Sequence, residues 1–511
     1  MAALSTVEVE RKYTVGQDTS VPPLTDLPHV ERTGPPVSLD LEAVYFDTDD
    51  FTLAGHGITL RRRRGGPDAG WHLKLPAGPS ARREIREPLG PDGGAVPERL
   101  RALVRVHVRD KDLLPIAQLR TRRTATPLLG TDNVVLAEFC DDRVESEAPI
   151  GEGLLQFWRE WEIELLRGSE DILTAADDLL AAVGVNRAEV QSKLARALGP
   201  AHPTTKKPLK RPKRKGPAGK VLLAYVQNHV DTLKAVDPAV REDAPDSVHQ
   251  LRVSARRMRS ALATYRKLTD ADTANRLRQE LQWLAGEVGR ARDIEVMRDR
   301  LKALSAAEPA DLLMGPVVLR IAESSASQYR EAHAAGLEAM SSQRYFRLLD
   351  ALDAFLADPP LTQLAAKKAH KAAARLVARD IGRLVNAVSA AEEAEDAADS
   401  DEAAFDAALH EVRKSAKRLR YGAEAAAPVL GKRATKLARA AEQIQETLGI
   451  LQDSVVSRGV LRELAVQAQA EGANAFSFGR LHALEQQRAS EARAQFSRDW
   501  TELRPTLLRR P

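Results

Sequence analysis

The stretch Val7-Glu8-Val9-Glu10-Arg11-Lys12 decides how the first part of the chain is read. Successive side chains of a strand point to opposite faces, so Glu8, Glu10 and Lys12 share one face while Val7, Val9 and Arg11 share the other. Two carboxylates and an ammonium would sit badly in an apolar core. They suit a wet outer face, or the inside of a polar barrel that takes up a metal ion and an anion together.

The same asymmetry returns along the chain. Arg61 and Arg63 share a face of the run 59–64, His72 and Lys74 share a face of 71–75, and Arg120 and Arg122 share a face of 119–122. Glu160, Glu162 and Glu164 alternate with Trp161, Ile163 and Leu165, so that strand packs on one side and lines something with the other. Glu138 and Asp142 join the acidic set by parity, with Asp141 the rival of Asp142 if the strand ends early. These short alternating runs are separated by breaks such as Gly65-Gly66-Pro67-Asp68 and Gly90-Pro91-Asp92-Gly93-Gly94, the pattern of an antiparallel sheet or barrel. Helical interruptions are expected near 97–108 and 172–182.

The charged residues form two chemical sets. Glu8, Glu10, Glu162 and Glu164 offer the hard oxygens that Mg²⁺ or Mn²⁺ prefer. Lys12, Arg61, Arg63, Lys74, Arg120 and Arg122 offer the donors that phosphate oxygens prefer. Both sets on one inner surface suit metal-assisted attack of water on a terminal phosphoryl group.

Glu8-x-Glu10-x-Lys12 resembles the opening signature of the CYTH family, the triphosphate tunnel metalloenzymes. Tyr45-Phe46-Asp47-Thr48, Leu60-Arg61-Arg62-Arg63, Trp71-His72-Leu73-Lys74, Glu162-Ile163-Glu164-Leu165 and Ser192-Lys193 follow in that family's order. The resemblance implies an eight-stranded antiparallel tunnel over residues 1–200 that binds triphosphate with a divalent metal. Known members include inorganic triphosphatases, thiamine triphosphatases and class IV adenylate cyclases. Lys193 enters the site only through this resemblance. The segment Arg82-Arg83-Glu84-Ile85-Arg86-Glu87 adds a basic tunnel residue, with Arg82 favoured among its registers.

The texture changes after residue 200. Residues 201–219 carry Lys206, Lys207, Lys210, Arg211, Lys213, Arg214 and Lys215 among prolines, the composition of a disordered linker. From 220 to 511 apolar residues recur at helical spacing. Val248-His249-Gln250-Leu251-Arg252-Val253-Ser254-Ala255-Arg256-Arg257-Met258-Arg259 is repeated as Leu409-His410-Glu411-Val412-Arg413-Lys414-Ser415-Ala416-Lys417-Arg418-Leu419-Arg420. Further on, Val288-Gly289 before Asp293 matches Leu448-Gly449 before Asp453, and an acidic patch at 392–402 separates the copies. Such a repeat indicates a duplicated helical-bundle unit. The chain is therefore a multidomain α+β protein, a β-barrel followed by an all-α bundle.

On a helix His249, Arg252, Arg256 and Arg259 fall within about 80° of one another, a single basic stripe. His410, Arg413, Lys417 and Arg420 form the same stripe in the second copy, thickened by Lys414 and Arg418. Leu251, Ala255, Met258 and Leu262, and their counterparts Val412, Ala416, Leu419 and Ala423, take a separate apolar face. Few carboxylates stand at i±4 to neutralise these cations, so the stripes are expected to meet an anion. Asp293 and Asp453 are expected to cap helices or orient arginines. The pattern resembles the CHAD domain, a helical module with conserved histidines, and that resemblance implies binding of inorganic polyphosphate along a basic groove.

Composition bounds the rest. The 511 residues carry 76 basic and 72 acidic side chains, and the pI near 9.0 hints at a polyanionic partner. One cysteine, Cys140, excludes an internal disulfide and fits a reducing compartment. No signal-peptide pattern and no membrane-length apolar run is seen, so the cytoplasm is expected, with association with polyphosphate granules. Inorganic polyphosphate or tripolyphosphate is the expected partner and Mg²⁺ or Mn²⁺ the expected cofactor. Nucleic acid is disfavoured because the stripes lack interleaved aromatics for stacking, and no protein partner is deducible. The expected activity is hydrolysis of triphosphate or short polyphosphate in the tunnel. A non-catalytic polyphosphate-binding protein, and an enzyme acting on ATP or thiamine triphosphate, are the alternatives.

Overall fold

A computed structural model of the chain describes residues 5–78, 81–90, 94–147, 155–188, 192–204, 209–396 and 402–508. Pro91-Asp92-Gly93, Lys206, Lys207 and the stretch 397–401 of the acidic patch lie outside the described residues. Two compact units are present, Met1–Pro208 and Leu209–Pro511.

The first unit contains β1 (Ser5–Val15), β2 (Arg32–Thr33), β3 (Val37–Asp47), β4 (Thr59–Arg64), β5 (Gly70–Pro76), β6 (Ala81–Glu87), β7 (Leu114–Leu129), β8 (Val135–Glu147) and β9 (Gln156–Leu165). The antiparallel order is β2-β7-β3-β4-β5-β6-β1-β9-β8, and β8 pairs back onto β7. Eight strands thus close into a barrel, and the two-residue β2 lies outside the ring on β7. Strand β1 links two neighbours, pairing β6 through its first half and β9 from Glu10 onward.

The apolar cores lie mainly on the outside of this barrel. Tyr13, Trp161 and Ile163 pack against Ile172, Ala176 and Leu180 of α3 (Glu170–Ala182). Leu60, Trp71, Leu73 and Ile85 pack against Leu100, Leu103 and Val104 of α2 (Glu98–Val108), which follows the single-turn α1 (Thr52–Gly55). Burying each such side chain contributes about 1.5–3 kcal/mol, so the outward parity is strongly enforced. The inward faces are thereby left to polar residues. At one part of the interior, Leu194, Ala197 and Leu198 of α4 (Lys193–Leu198) pack with Ala43, Tyr45, Leu119, Val144 and Trp158.

The second unit is helical: α5 (Gly219–Arg241), α6 (Ser247–Thr264), α7 (Ala271–Glu287), α8 (Gly289–Ala306), α9 (Val317–Ala339), α10 (Gln343–Ala357), α11 (Ala369–Asp396), α12 (Glu402–Leu430), α13 (Lys432–Ala470) and α14 (Phe476–Leu508). The repeated basic motifs fall on α6 and α12. Their predicted apolar residues are buried, Leu251, Ala255, Met258, Val412, Ala416 and Leu419 among them. No helix among the described residues is long and apolar enough to cross a membrane.

The basic stretch 201–219 is not uniform. Its last residues are hydrogen-bonded to the start of α11, with Ala218 N–H donating to Lys367 O, Ala369 N–H to Gly216 O and His370 N–H to Arg214 O. Prolines and lysines read as a free linker by composition, but the backbone here finds partners far along the chain.

Candidate functional site

A cavity of about 640 Å³ runs through the barrel interior, lined by Glu8, Glu10 and Lys12 from β1, Arg61 and Arg63 from β4, Lys74 from β5, Arg82 and Arg86 from β6, Glu138 from β8, Glu162 and Glu164 from β9, and Lys193. Strand parity therefore brings together almost every side chain the alternation singled out. Lys193 arrives by another route: the Ser192 hydroxyl accepts from Ala195 N at 3.1 Å, starting α4 so that its first residue projects inward.

Lys193 Nζ sits among carboxylates, 2.8 Å from Asp142, 2.6 Å from Glu160 and 2.5 Å from Glu162. Asp142 is the inward residue, whereas Asp141 points outward and pairs with Arg159 at 2.7 Å. Lys12 bridges Glu10, at 3.2 Å, and Glu162. Burial alone would raise the Glu162 carboxyl, but Lys12, Lys193 and Arg123 hold it well below its ordinary value.

Two predicted tunnel residues are corrected. Arg120 and Arg122 point outward, their side chains 68% and 77% exposed, the former near Glu145 and the latter near Asp40. The inward cation on β7 is Arg123, 15% exposed, which clamps Asp142 through Nε at 2.8 Å and Nη2 at 2.6 Å and reaches Glu162 at 2.5 Å. The physical reason is that the inner wall on β3 and β7 is largely apolar, with Leu39, Leu41, Leu119 and Ala125 lining the cavity. The rule that charge points inward fails there. Arg123→Lys should cost about 2 kcal/mol of stability, because the bidentate hydrogen bonds to a buried carboxylate are lost. Arg122→Lys should stay within about 0.5 kcal/mol. Chemical denaturation of the two variants checks this.

Glu84 is a residue the alternation did not single out. It is fully buried beneath the basic wall, with His72 Nδ1 at 2.9 Å, Lys74 Nζ at 3.7 Å, Arg61 at 4.0 Å and an ion pair to Arg86. Its place between arginines in the sequence hid it, although Arg82, Glu84 and Arg86 share one parity.

Three acidic groups could hold a metal ion. Asp142, Glu160 and Glu162 have oxygens within 4.8 Å of one another, but the Lys193 ammonium already stands among them. Glu8, Glu10 and Glu164 line the same cavity, where Lys74 pairs with Glu8 and Lys12 with Glu10. Burial, then the charges of Glu8 and Glu10, push the Glu164 carboxyl up to about 7. Among the described residues Glu164 has no ion pair of its own, and carboxylate oxygens that share a cavity suit a hard divalent ion.

In the helical unit Arg252 donates to Gly289 O at 3.1 Å and pairs with Asp293, which orients it as expected for that aspartate. A Cβ on Gly289 would lie 3.1 Å from the Arg252 guanidinium carbon, and one on Gly449 3.5 Å from Arg413 Nη2. The repeated glycines therefore give room to the repeated arginines. Arg252, Arg256, Arg413 and Lys417 converge from α6 and α12: burial, then Arg413, Arg256 and Arg252, push Lys417 down to about 7. Among the described residues, Arg256 Nε and Arg413 Nε are buried with no hydrogen-bond acceptor. Arg259 is lowered by burial, Arg278 and Arg256, and His249 by burial and Arg292.

The second stripe is less open than its spacing indicated. Arg420 is held by Glu424 at 3.1 Å, its i+4 neighbour, and by Glu442 at 2.5 Å. Lys414 is 57% exposed and pairs with Glu411, and His410 Nδ1 contacts Gln452 Oε1 at 2.7 Å. The cations that converge here are Arg256, Arg413 and Lys417, with Arg252 beside them held by Asp293.

Residues 6–198 match the CYTH domain and residues 224–462 the CHAD domain. Over 502 residues the chain is 38% identical to the uncharacterized protein Rv2226 of Mycobacterium tuberculosis, covering 96% of this chain and 94% of that one. The chain is a CYTH–CHAD protein. PptA from Streptomyces chartreusis aligns with 56% of this CYTH–CHAD chain and 99% of its own, at 24% identity and a TM-score of 0.46. The CHAD domain from the plant Ricinus communis aligns with 60% of this chain and 98% of its own, at 25% identity and a TM-score of 0.44. CYTH proteins form a family of metal-dependent tunnel enzymes, and the acid-rich cavity is where such an ion fits.

Proposed function

We propose that the CYTH tunnel hydrolyses the terminal phosphoanhydride of inorganic triphosphate or short polyphosphate with Mg²⁺ or Mn²⁺, and that the CHAD unit binds inorganic polyphosphate. The observation that carries this reading is the joint lining of one cavity by a carboxylate group, Glu8, Glu10 and Glu164, and a cationic group, Arg61, Arg63, Lys74 and Arg86. Divalent metal bound at the carboxylates supplies polarisation of the phosphoryl oxygens and acidification of a water. The basic side chains hold the phosphate chain and offset the charge on its oxygens as the bridging bond breaks. Lys12 and Lys193, kept protonated by their carboxylate neighbours, serve as fixed positive charges.

One feature favours a second reading. The apolar β3–β7 wall suits an organic group joined to the triphosphate, as in ATP or thiamine triphosphate. Phosphate release by the full-length protein from tripolyphosphate, ATP and thiamine triphosphate, with Mg²⁺ or Mn²⁺, separates the readings. Release from none of them leaves only a polyphosphate-binding role.

Polyphosphate binding should also depend on pH. Lys417 of the free protein loses its proton near 7, and a bound polyanion raises that value, so binding takes up a proton. Affinity for long polyphosphate should therefore fall as pH rises from about 7 to 9, by up to about tenfold per unit. Lys417→Arg should flatten that slope. Titration calorimetry in buffers of different ionisation enthalpy measures the proton uptake.

A further inference from the structure

Helix α11 packs on α12 and buries Leu376, Val377, Leu384 and Val388. Its opposite face carries Lys371, Arg375, Ala378, Gly382, Asn386, Ser389, Glu393 and Asp396, which at about 100° per residue fall within about 80° of one another. All are exposed except the half-buried Ala378, and Lys368, also exposed, stands just ahead of the first turn.

Charge on this face is sorted by sign along the helix. Residues 359–379 contain no Asp or Glu, and residues 384–412 contain no Lys or Arg. Among the described residues Lys368, Lys371, Arg375, Glu393 and Asp396 form no ion pair. Their order also opposes the helix itself, because the cations lie at its positive N-terminal end and the acids at its negative C-terminal end. A face made only for solvent gains from the reverse order, or from opposite charges mixed at i,i+4 spacing.

A second α11 lying antiparallel on the first reverses both disadvantages. About a two-fold axis at Gly382, Lys371 faces Glu393 of the second copy, Lys368 faces its Asp396, and Arg375 lies one turn from its Glu393. The same pairs repeat on the other side of the axis, as an isologous contact requires. The centre is flat: a Cβ on Gly382 would meet nothing within 4 Å. Glycine inside a helix lowers stability relative to alanine, and it serves where another backbone approaches closely. A long polyanion is a poorer occupant, because the acidic half of the face repels it.

We propose that the protein self-associates as a two-fold dimer through antiparallel contact of the exposed α11 faces, centred on Gly382. The contact is one helix wide, so the dimer is weak and sensitive to salt.

Sedimentation velocity of the full-length protein should show a monomer–dimer equilibrium whose dissociation constant rises at least about tenfold from about 50 to about 500 mM salt. Lys368→Glu with Lys371→Glu, or Glu393→Lys with Asp396→Lys, should weaken self-association at least about 30-fold, because like charges then face each other. An equimolar mixture of the two double variants should recover the dimer, since a face acidic at both ends meets one basic at both ends. A wild type that stays monomeric at about 50 µM in low salt overturns the proposal. So does a dimer indifferent to both reversals, or a mixture that does not pair. A single cysteine tests the register independently of charge. Cys140 is the chain's one cysteine and is buried, so Gly382→Cys places one reactive thiol on the axis. Under mild oxidation it should cross-link to its own copy at least about tenfold faster than Lys371→Cys, whose two thiols would stand about 33 Å apart at about 1.5 Å per residue. Equal rates overturn the α11 contact even if a charge-reversed variant misfolds.

Discussion

Glu10→Gln should reduce phosphate release from tripolyphosphate at least about 10³-fold while leaving retention of long polyphosphate unchanged. Glu10 lines the cavity beside Glu8 and Glu164. Burial would raise its carboxyl, but Lys12 and other cations keep it below the ordinary value, so it is an anion at neutral pH. The amide keeps the shape and removes one of three charged donors. Losing about 4 kcal/mol of charge stabilisation in the transition state corresponds to roughly 10³ in rate. The fold should tolerate the change, because Lys12 retains Glu162 and one like charge near Glu164 disappears. Glu164 should then ionise more readily than in the wild type, since Glu10 is one of the charges that raise it. Thermal melting separates loss of the site from loss of the fold, and turnover above about a tenth of wild type would mean the carboxylate trio is not the metal-holding group.

Replacing Arg256 and Arg413 together by Met should weaken polyphosphate binding and at the same time raise the melting temperature. The opposite signs are the point of the experiment. Both guanidinium groups have a buried Nε without an acceptor, and both press on Lys417. Burial and Arg256 and Arg252 lower Arg413 itself, although Asp453 opposes them. In the free protein these cations are a net cost that only an anion offsets. Removing two should cut affinity about 10²-fold at low salt and shrink the slope of log K against log salt by about 1.4, at roughly 0.7 per cation on a flexible strand. Relief of repulsion worth about 1 kcal/mol should raise the melting temperature by about 2 °C. A fall in melting temperature with unchanged binding would make these arginines structural. The same substitution at Arg420 should lower stability, because Arg420 is matched by Glu424 and Glu442.

Both experiments address groups of opposite character. In the tunnel Glu8 and Glu10 are met by Lys74 and Lys12 while Glu164 has no ion pair of its own among the described residues, and the helical cluster has too little anion between α6 and α12. In each, the under-compensated charge marks the place where a ligand contributes more than the protein alone.

The amino-acid sequence by itself determined the barrel, the bundle and most of the inward set. A strand alternates with period two, so Glu8, Glu10 and Lys12, or Glu162 and Glu164, had to share a face whatever they paired with. Burial of Trp161, Ile163, Trp71 and Leu73 against α2 and α3 then left only one direction for them. Helical spacing likewise put His249, Arg252, Arg256 and Arg259 on one stripe. Tertiary structure decided what parity could not. On β7 the run Arg120-Thr121-Arg122-Arg123 offers cations of both parities, and pairing of Arg123 with Asp142 selected the inward one. Glu84 became a buried counter-ion only once β5 and β6 were paired, and Arg420, already facing Glu424 one turn along its own helix, gained Glu442 once α13 packed beside it. Periodicity is a property of the local backbone, whereas charge compensation depends on groups distant in the chain, and those meet only in the folded protein.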